Sequence, residues 1–393
     1  MVFMSNPLSD DVCTGGGFLL HLEFIKPWIL SLWTDPLWMI ALTLPIMYTV
    51  YTNLLERKYF GHIVETPIPA ILRTFAYGIA IGLVMSLALS AVTFSIDRTE
   101  LLLIWTVTGF FALFRRRFTC IAYAVGSLSL LHLALPYMEP TMIPSGMDSI
   151  MDRISHFSVL PWLLIVAITH LIEWMFIRLE GSVSHTPVQL DHISGHRVPG
   201  YLLAKTWPIA FIALTPNGWL PLPIVIGFAS KTCSKPLKQK KRLVSTFTLF
   251  YALCLFILIF VAMYVPQQEW LWLAAAFALV GHEVLYLGSD FLERRRTPLF
   301  VSNEKGLRVL AVLPQTPAAL LGIKTGDIIY RLNGMRIKTP DDLEKAVALS
   351  SFCKLEVIDE QQDSHYLQRA IYEKDPKHLG IVASPVEWRV ESG

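Results

Sequence analysis

The chain has 393 residues, a formal net charge of +2, 53% hydrophobic and 16% charged residues, and a mean hydropathy of +0.49. That balance excludes an ordinary soluble globular protein, and so small a net charge excludes nucleic-acid binding driven by bulk electrostatics. Charge is also unevenly placed, with 25 of the Asp, Glu, Lys and Arg residues in the last 97 positions and only 39 in the first 296.

Residues 1–16 lack the basic stretch and apolar run of a cleavable signal peptide, so membrane insertion falls to internal spans. Residues 17–33 carry His21, Glu23 and Lys26, and the segment 1–36 is expected to be interfacial or amphipathic. Windows long and apolar enough for a bilayer follow at 37–54, 76–94, 101–113, 119–135, 158–177, 243–265 and 270–287. Two shorter pieces, 201–214 and 219–229, flank the turn Thr215-Pro216-Asn217-Gly218 and read as two tilted spans or a re-entrant hairpin. The expectation is a polytopic α-helical membrane domain over 37–296 with six to eight spans.

Lys and Arg sort the loops. Arg57-Lys58 with Arg73, Arg115-Arg116-Arg117, Arg178 to Lys205, Lys231 to Arg242 and Arg294-Arg295-Arg296 are basic, whereas 95–100, 136–152 and 266–269 are poor in both residues. Positive loops stay cytoplasmic, which puts everything after Arg296 inside, provided that 201–229 starts and ends there.

From residue 297 to 393 the pattern changes to short strand-like runs at 307–312, 327–332, 352–358, 366–371 and 379–383. A short helix begins at Pro317 and closes on Gly322, a second opens with Thr339 as N-cap and Pro340 in its first turn, and Asn333-Gly334 is a hairpin turn. The run from Leu313 to Gly334, with Pro317-Ala318-Ala319-Leu320-Leu321-Gly322, Gly326-Asp327 and Asn333-Gly334, resembles a PDZ domain. That resemblance implies a small α+β module that takes an extended peptide onto a strand edge beside a helix. No strand precedes Gly306 to supply the carboxylate loop; His378-Leu379-Gly380-Ile381-Val382 resembles that loop in circularly permuted form. The expected peptide-binding residues are Leu379, Gly380, Ile381 and Val382, with Leu343 and Val347 on the helix wall. The competing reading is that the strand only closes the sheet and the helix residues are core.

Chemistry of other kinds is weakly supported. Cys13, Cys120, Cys233, Cys254 and Cys353 are scattered without a C-x-x-C pair, which indicates neither a disulfide framework nor a zinc site. His-Glu-x-x-His is absent, since the position four after His282 is Tyr286, and Gly126-Ser127-Leu128-Ser129 reads as helix packing. The pairs His170 with Glu173 and His282 with Glu283 fall inside spans and read as packing and interfacial anchoring, the alternative being a proton or ion path. A metal site from His185, Asp191, His192 and His196 lacks pre-organisation. Neither catalysis nor a cofactor is expected.

The order of spans and basic loops, together with Phe352-Cys353-Lys354-Leu355-Glu356-Val357-Ile358-Asp359 and the closing His378 to Val382, is similar to the MinJ family of polytopic membrane proteins with a cytoplasmic PDZ domain. The resemblance implies a non-enzymatic scaffold for division-site selection, multi-pass in the cell membrane and enriched at septa and poles. It implies two partners, a DivIVA-like polar coiled-coil protein and a MinD-like ATPase. The alternative is a PDZ-containing subunit that regulates a membrane protease or serves protein quality control. Gly380→Glu, expected to abolish peptide binding, would separate the two.

Overall fold

The computed structural model describes residues 25–384 apart from 61–62, 64–65, 91, 115, 140–145, 181–184, 194, 196, 266, 303, 360 and 373–377. Most of the 1–36 segment, Arg115 and His196 therefore lie outside the described residues. The helices are α1 (Ile25–Thr34), α2 (Pro36–Phe60), α3 (Pro67–Ala88), α4 (Arg98–Phe114), α5 (Ile121–Ala134), α6 (Asp148–Ser155), α7 (Val159–Glu180), α8 (Leu237–Tyr264), and α9 (Gln268–Ala276) running through a π-helical turn, Phe277–Gly281, into α10 (His282–Arg295). Each of the seven predicted apolar windows holds a helix, although in 76–94 it stops at Ala88 and Thr93 then bridges Leu214. Five segments, Pro36–Lys58, Pro67–Ala88, Val159–Glu180, Leu237–Tyr264 and Gln268–Arg295, are long and apolar enough to cross a membrane.

The region 201–229 forms a hairpin rather than two tilted spans, and its arms are β-strands. Strand β1 (His185–Asp191) leads into a long antiparallel hairpin of β2 (Arg197–Thr215) and β3 (Gly218–Thr232), and most of β2 is buried inside the helical body. A strand edge inside an apolar body must still satisfy or remove its outward backbone groups. Here the sequence does both. Pro208, Pro221 and Pro223 occupy pairs (Pro208↔Val225, Ala210↔Pro223, Ile212↔Pro221) whose backbone groups face away from the ladder, so the missing N–H groups leave no orphan donor. Outward acceptors are capped by indoles, Trp28 Nε1 to the Ala210 carbonyl at 2.6 Å and Trp105 Nε1 to the Pro223 carbonyl at 3.2 Å, while Ile212 N–H reaches Ser86 Oγ at 3.0 Å. Trp28 thereby pins α1 into the body beside Trp38, Ala41 and Ile212.

Helix α3 lies against the edge of β2 through Gly78, Gly82 and Ser86, spaced four apart on one face. A Cβ at Gly78 would fall on the Pro208 carbonyl, and one at Gly82 on the backbone of Ala210. At the hairpin tip, Phe94 N–H donates to the Leu214 carbonyl at 2.7 Å.

Buried charges gather at the two ends of the body. At the basic end Glu180 accepts from Arg73 Nε (2.6 Å) and Trp207 Nε1 (2.8 Å) and forms an ion pair with Lys205 Nζ (2.9 Å), and Glu293 accepts from Lys240 Nζ (3.0 Å) and Ser234 Oγ (2.8 Å). At the other end Glu100 accepts from Ser158 N–H (2.6 Å) and Trp162 Nε1 (2.9 Å), and Asp35 pairs with Arg98.

The C-terminal region is β-rich, with β4 (Leu307–Val312), α11 (Pro317–Leu320), β5 (Ile328–Leu332), β6 (Met335–Arg336), α12 (Pro340–Ala348), β7 (Phe352–Ile358), β8 (Ser364–Ala370) and β9 (Ile381–Ala383). The strand order is β8-β7-β5-β4-β9, with β6 paired to β5. Asn333 and Gly334 both have positive φ, as a type I′ hairpin requires, and the Asn333 side chain ties the turn to β7 through Lys354 N–H (2.8 Å) and the Phe352 carbonyl (2.7 Å).

Helix α12 starts in a capping box, in which Thr339 Oγ1 accepts from Asp342 N–H (3.1 Å) and Asp342 Oδ2 accepts from Thr339 N–H (2.9 Å) and Lys338 N–H (3.1 Å). Hydrogen bonds from the backbone of Lys338, then Thr339, hold the Asp342 carboxyl below the usual carboxylate range. A lowered folded-state pKa contributes stability above the ordinary carboxylate value and loses it as pH falls through the lowered one. Asp342→Ala is expected to cost about 1 kcal/mol at neutral pH, the usual worth of such a cap. Denaturant unfolding of wild type and variant across pH should show that difference shrink to nothing in acid.

Candidate peptide-binding edge of the C-terminal sheet

Strand β9 ends the sheet, and its geometry follows from local sequence. Gly380 takes φ +81°, a region closed to most side chains, which turns the chain from Leu379 into the strand. Its carbonyl accepts from Leu313 N–H at 2.8 Å and the Leu379 carbonyl from Ala318 N–H at 2.9 Å, so the loop is fastened to β4 and to the start of α11. Among the described residues the N–H groups of Leu379 and Gly380 donate to no acceptor.

The backbone alternation of β9 can be read from its bonds. Gly380 C=O and Ser384 N–H face β4, the latter reaching the Arg308 carbonyl at 2.9 Å, and Val382 pairs with Ala311. The N–H and C=O groups of Ile381 and Ala383 therefore point to the open edge. Two unpaired loop N–H groups followed by an outward strand ladder present what an incoming strand with a terminal carboxylate needs.

The predicted site residues divide into three sets. Leu379 and Leu343 are buried in the core of the C-terminal region, with Leu307, Ile329, Ala346 and Leu355. Ile381 and Val347 are half-buried against that same cluster. Val382 faces the other way, joining Leu310, Ala311, Leu313 and Phe300 in the core that continues into the helical body. Strand alternation thus sets Val382 on the face opposite Ile381 and Ala383, which pack against the core of the C-terminal region. Gly380 is likewise a poor place to test binding, because a Cβ there would run into the Thr316 side chain. Gly380→Glu would disturb the loop itself.

No local pattern signals that the domain is docked. Tyr201, at the base of β2, donates its hydroxyl to the Leu310 carbonyl, whose strand position is freed by the irregularity between Val309 and Ala311, and its ring stacks edge-on to Phe300 at 4.6 Å between centroids. Leu299 N–H adds a bond to the Cys233 carbonyl at 2.7 Å. These contacts hold the open edge next to the basic end of the helical body.

Among the described residues around β1, His185, Asp191 and His192 are not gathered. His185 and Asp191 stand at opposite ends of the strand, Asp191 pairs with Arg197, and His192 Nε2 donates to the Arg296 carbonyl at 3.1 Å.

Residues 308–352 match the PDZ domain family model. Along 358 residues, 83% of this chain and 86% of the relative, the sequence is 24% identical to the cell division topological determinant MinJ of Bacillus subtilis (strain 168). A stretch of 75 residues, 18% of each chain, is 32% identical to the putative serine protease HhoB of Synechocystis sp.. No solved structure matches. Extended similarity to one protein over most of both lengths, joined to the PDZ match on the sheet described above, makes this chain a MinJ-like protein with a C-terminal PDZ domain.

Proposed function

We propose that this protein is a membrane-anchored, non-enzymatic scaffold for placing the division site. In this reading the helical body lies in the cell membrane, the basic end faces the cytoplasm, and the PDZ domain takes an extended segment of a division protein onto the open edge of β9. The observation that carries it is that edge, with the free N–H groups of Leu379 and Gly380, on a chain similar over most of its length to a cell division topological determinant. Membrane residence is supported by the five long apolar helices, which expose Ile68, Leu72, Val84, Phe250, Ile257 and Phe260 on their outer faces.

The partners proposed are a DivIVA-like polar coiled-coil protein and a MinD-like ATPase. Confining a weak peptide-binding module to the inner leaflet raises its effective concentration toward other membrane-bound proteins, so no turnover is required. Circular permutation fits the same picture, with β9 in the role of the strand that bears the carboxylate loop.

Ala383→Pro tests the groove cleanly. Proline is tolerated on an edge strand where its lost N–H would face outward, and here it removes one rung of the incoming ladder. Capture of the partner's peptide by the full-length protein should fall roughly ten-fold, the loss of about one good hydrogen bond with its geometry, while thermal stability stays within a few degrees. Unchanged binding would place the partner elsewhere. The likeness to HhoB supports a second reading, regulation of a membrane protease. Altered turnover of membrane proteins with normal cell length in a deletion strain would favour it.

A further inference from the structure

A side-chain cluster with no part in peptide binding lies where α5, α7 and α10 meet. Cys120 immediately precedes α5, His170 is in α7, and His282 opens α10. One donor atom from each lies within 4.8 Å of the other two. Cys120 Sγ stands 3.6 Å from His170 Nε2, and Glu173 Oε2 stands 3.8 Å from the same nitrogen. His170 and Glu173 are buried rather than reaching back to water, which corrects the interfacial reading of that pair.

These separations are close to those a metal ion requires of its ligands. Ligands of tetrahedral zinc, with the metal about 2.3 Å from sulfur and about 2.0 Å from nitrogen, stand roughly 3.5 Å from one another. The rings are also held in the tautomer that a metal needs. His170 Nδ1 must donate to the Val166 carbonyl, 2.8 Å away, which leaves the lone pair on Nε2, facing Cys120 and Glu173. Tyr123 donates to Glu283 at 2.7 Å and accepts from His282 Nδ1 at 2.9 Å, fixing the second ring in the same form. A carbonyl or carboxylate-backed donor behind each imidazole is the usual outer support of a ligating histidine.

A third observation concerns the backbone. The π-helical turn Phe277–Gly281 ends at the residue before His282 and resets the phase of the helix just where that ring enters the cluster. Such turns are rare and concentrate at functional sites. Tyr251, whose hydroxyl bonds the Ala278 carbonyl at 2.7 Å inside that turn, packs its ring on His170 at 4.7 Å. Gly126 lets α5 approach the turn, since a Cβ there would press on Leu279.

We propose that Cys120, His170 and His282 bind one Zn²⁺ that staples α5, α7 and α10 together, with the Glu173 carboxylate beside His170 to balance its charge. A dication with one thiolate, one carboxylate and two neutral imidazoles is net neutral, the state that avoids the cost of burying an unbalanced ion. Mixed sulfur and nitrogen ligation selects zinc, and the buried position of the set suits a structural role. Cysteine counting missed the site because only one ligand is a cysteine and the set is assembled from three distant segments.

The test is metal analysis of the full-length protein purified in detergent without chelator, together with the absorption spectrum after exchange to Co²⁺. The expected result is close to one zinc per chain and a cobalt spectrum with both a thiolate charge-transfer band and intense tetrahedral visible bands. Cys120→Ser should lose the charge-transfer band and Cys254→Ser should keep it, and stripping the metal should lower the thermal midpoint. If Cys120→Ser fails to fold, the wild-type cobalt spectrum decides alone. Less than a tenth of a zinc per chain after incubation with the ion, a cobalt spectrum without a thiolate band, or a band that survives Cys120→Ser would each overturn the proposal.

Discussion

Gly82→Leu is expected to leave little folded protein. The glycine sits where α3 crosses the edge of β2, and even a Cβ would fall on the carbonyl, carbon and nitrogen of Ala210. Backbone atoms cannot rotate aside, so the helix must lift off the strand. Overpacking in a tight core costs about 1–3 kcal/mol when side chains can yield; here they cannot, and displacement of α3 would also break the bond from Ile212 N–H to Ser86 Oγ. Gly82→Ala should already lower the thermal midpoint in detergent. Gly109→Ala is the control, because no atom lies within 4 Å of the Cβ it would add. Equal stability of the Gly82→Leu and Gly109→Ala proteins would show that α3 does not lie on the hairpin as described.

Glu180→Ala should be nearly as damaging, for an electrostatic reason. Its carboxylate is buried and takes Lys205, Arg73 and Trp207 together, and the Lys205 side chain is only 6% exposed. Removing one member of a buried ion pair leaves the other charge uncompensated, which costs about 3–5 kcal/mol. The double variant Glu180→Leu with Lys205→Met should recover part of that loss, since it removes the uncompensated Lys205 charge while the Trp207 indole N–H stays without its acceptor. Thermal unfolding of the single and double variants measures both. A single variant as stable as the parent would mean that Lys205 reaches solvent.

How much of this was legible in the sequence depended on the range over which each feature is determined. The PDZ elements were readable because short segments dictate them: positive φ at Asn333-Gly334, the Thr339-Pro340-Asp341-Asp342 cap and the φ of Gly380 are local chemistry. The seven helical windows were readable from length and hydropathy. The strand character of the β2–β3 hairpin was hidden, because uninterrupted apolar runs of this length do not distinguish a buried strand from a short helix. Pro208, Pro221 and Pro223 carried the missed signal, since a two-residue proline spacing suits outward strand positions and breaks a helix. Docking through Tyr201 and Val382, and the meeting of Cys120, His170 and His282, depend on segments tens to more than a hundred residues apart. No local pattern encodes them.

The division role in turn rests on one physical element, the open edge of β9 held beside the basic end of the body. A functional fluorescent fusion imaged in dividing host cells, as wild type and as Ala383→Pro, tests it most directly. The account predicts wild-type signal concentrated at septa and poles, dependent on the polar coiled-coil protein, and a variant present in equal amount but spread evenly around the membrane. Even distribution of the wild type, with normal cell length after deletion of the gene, would contradict it.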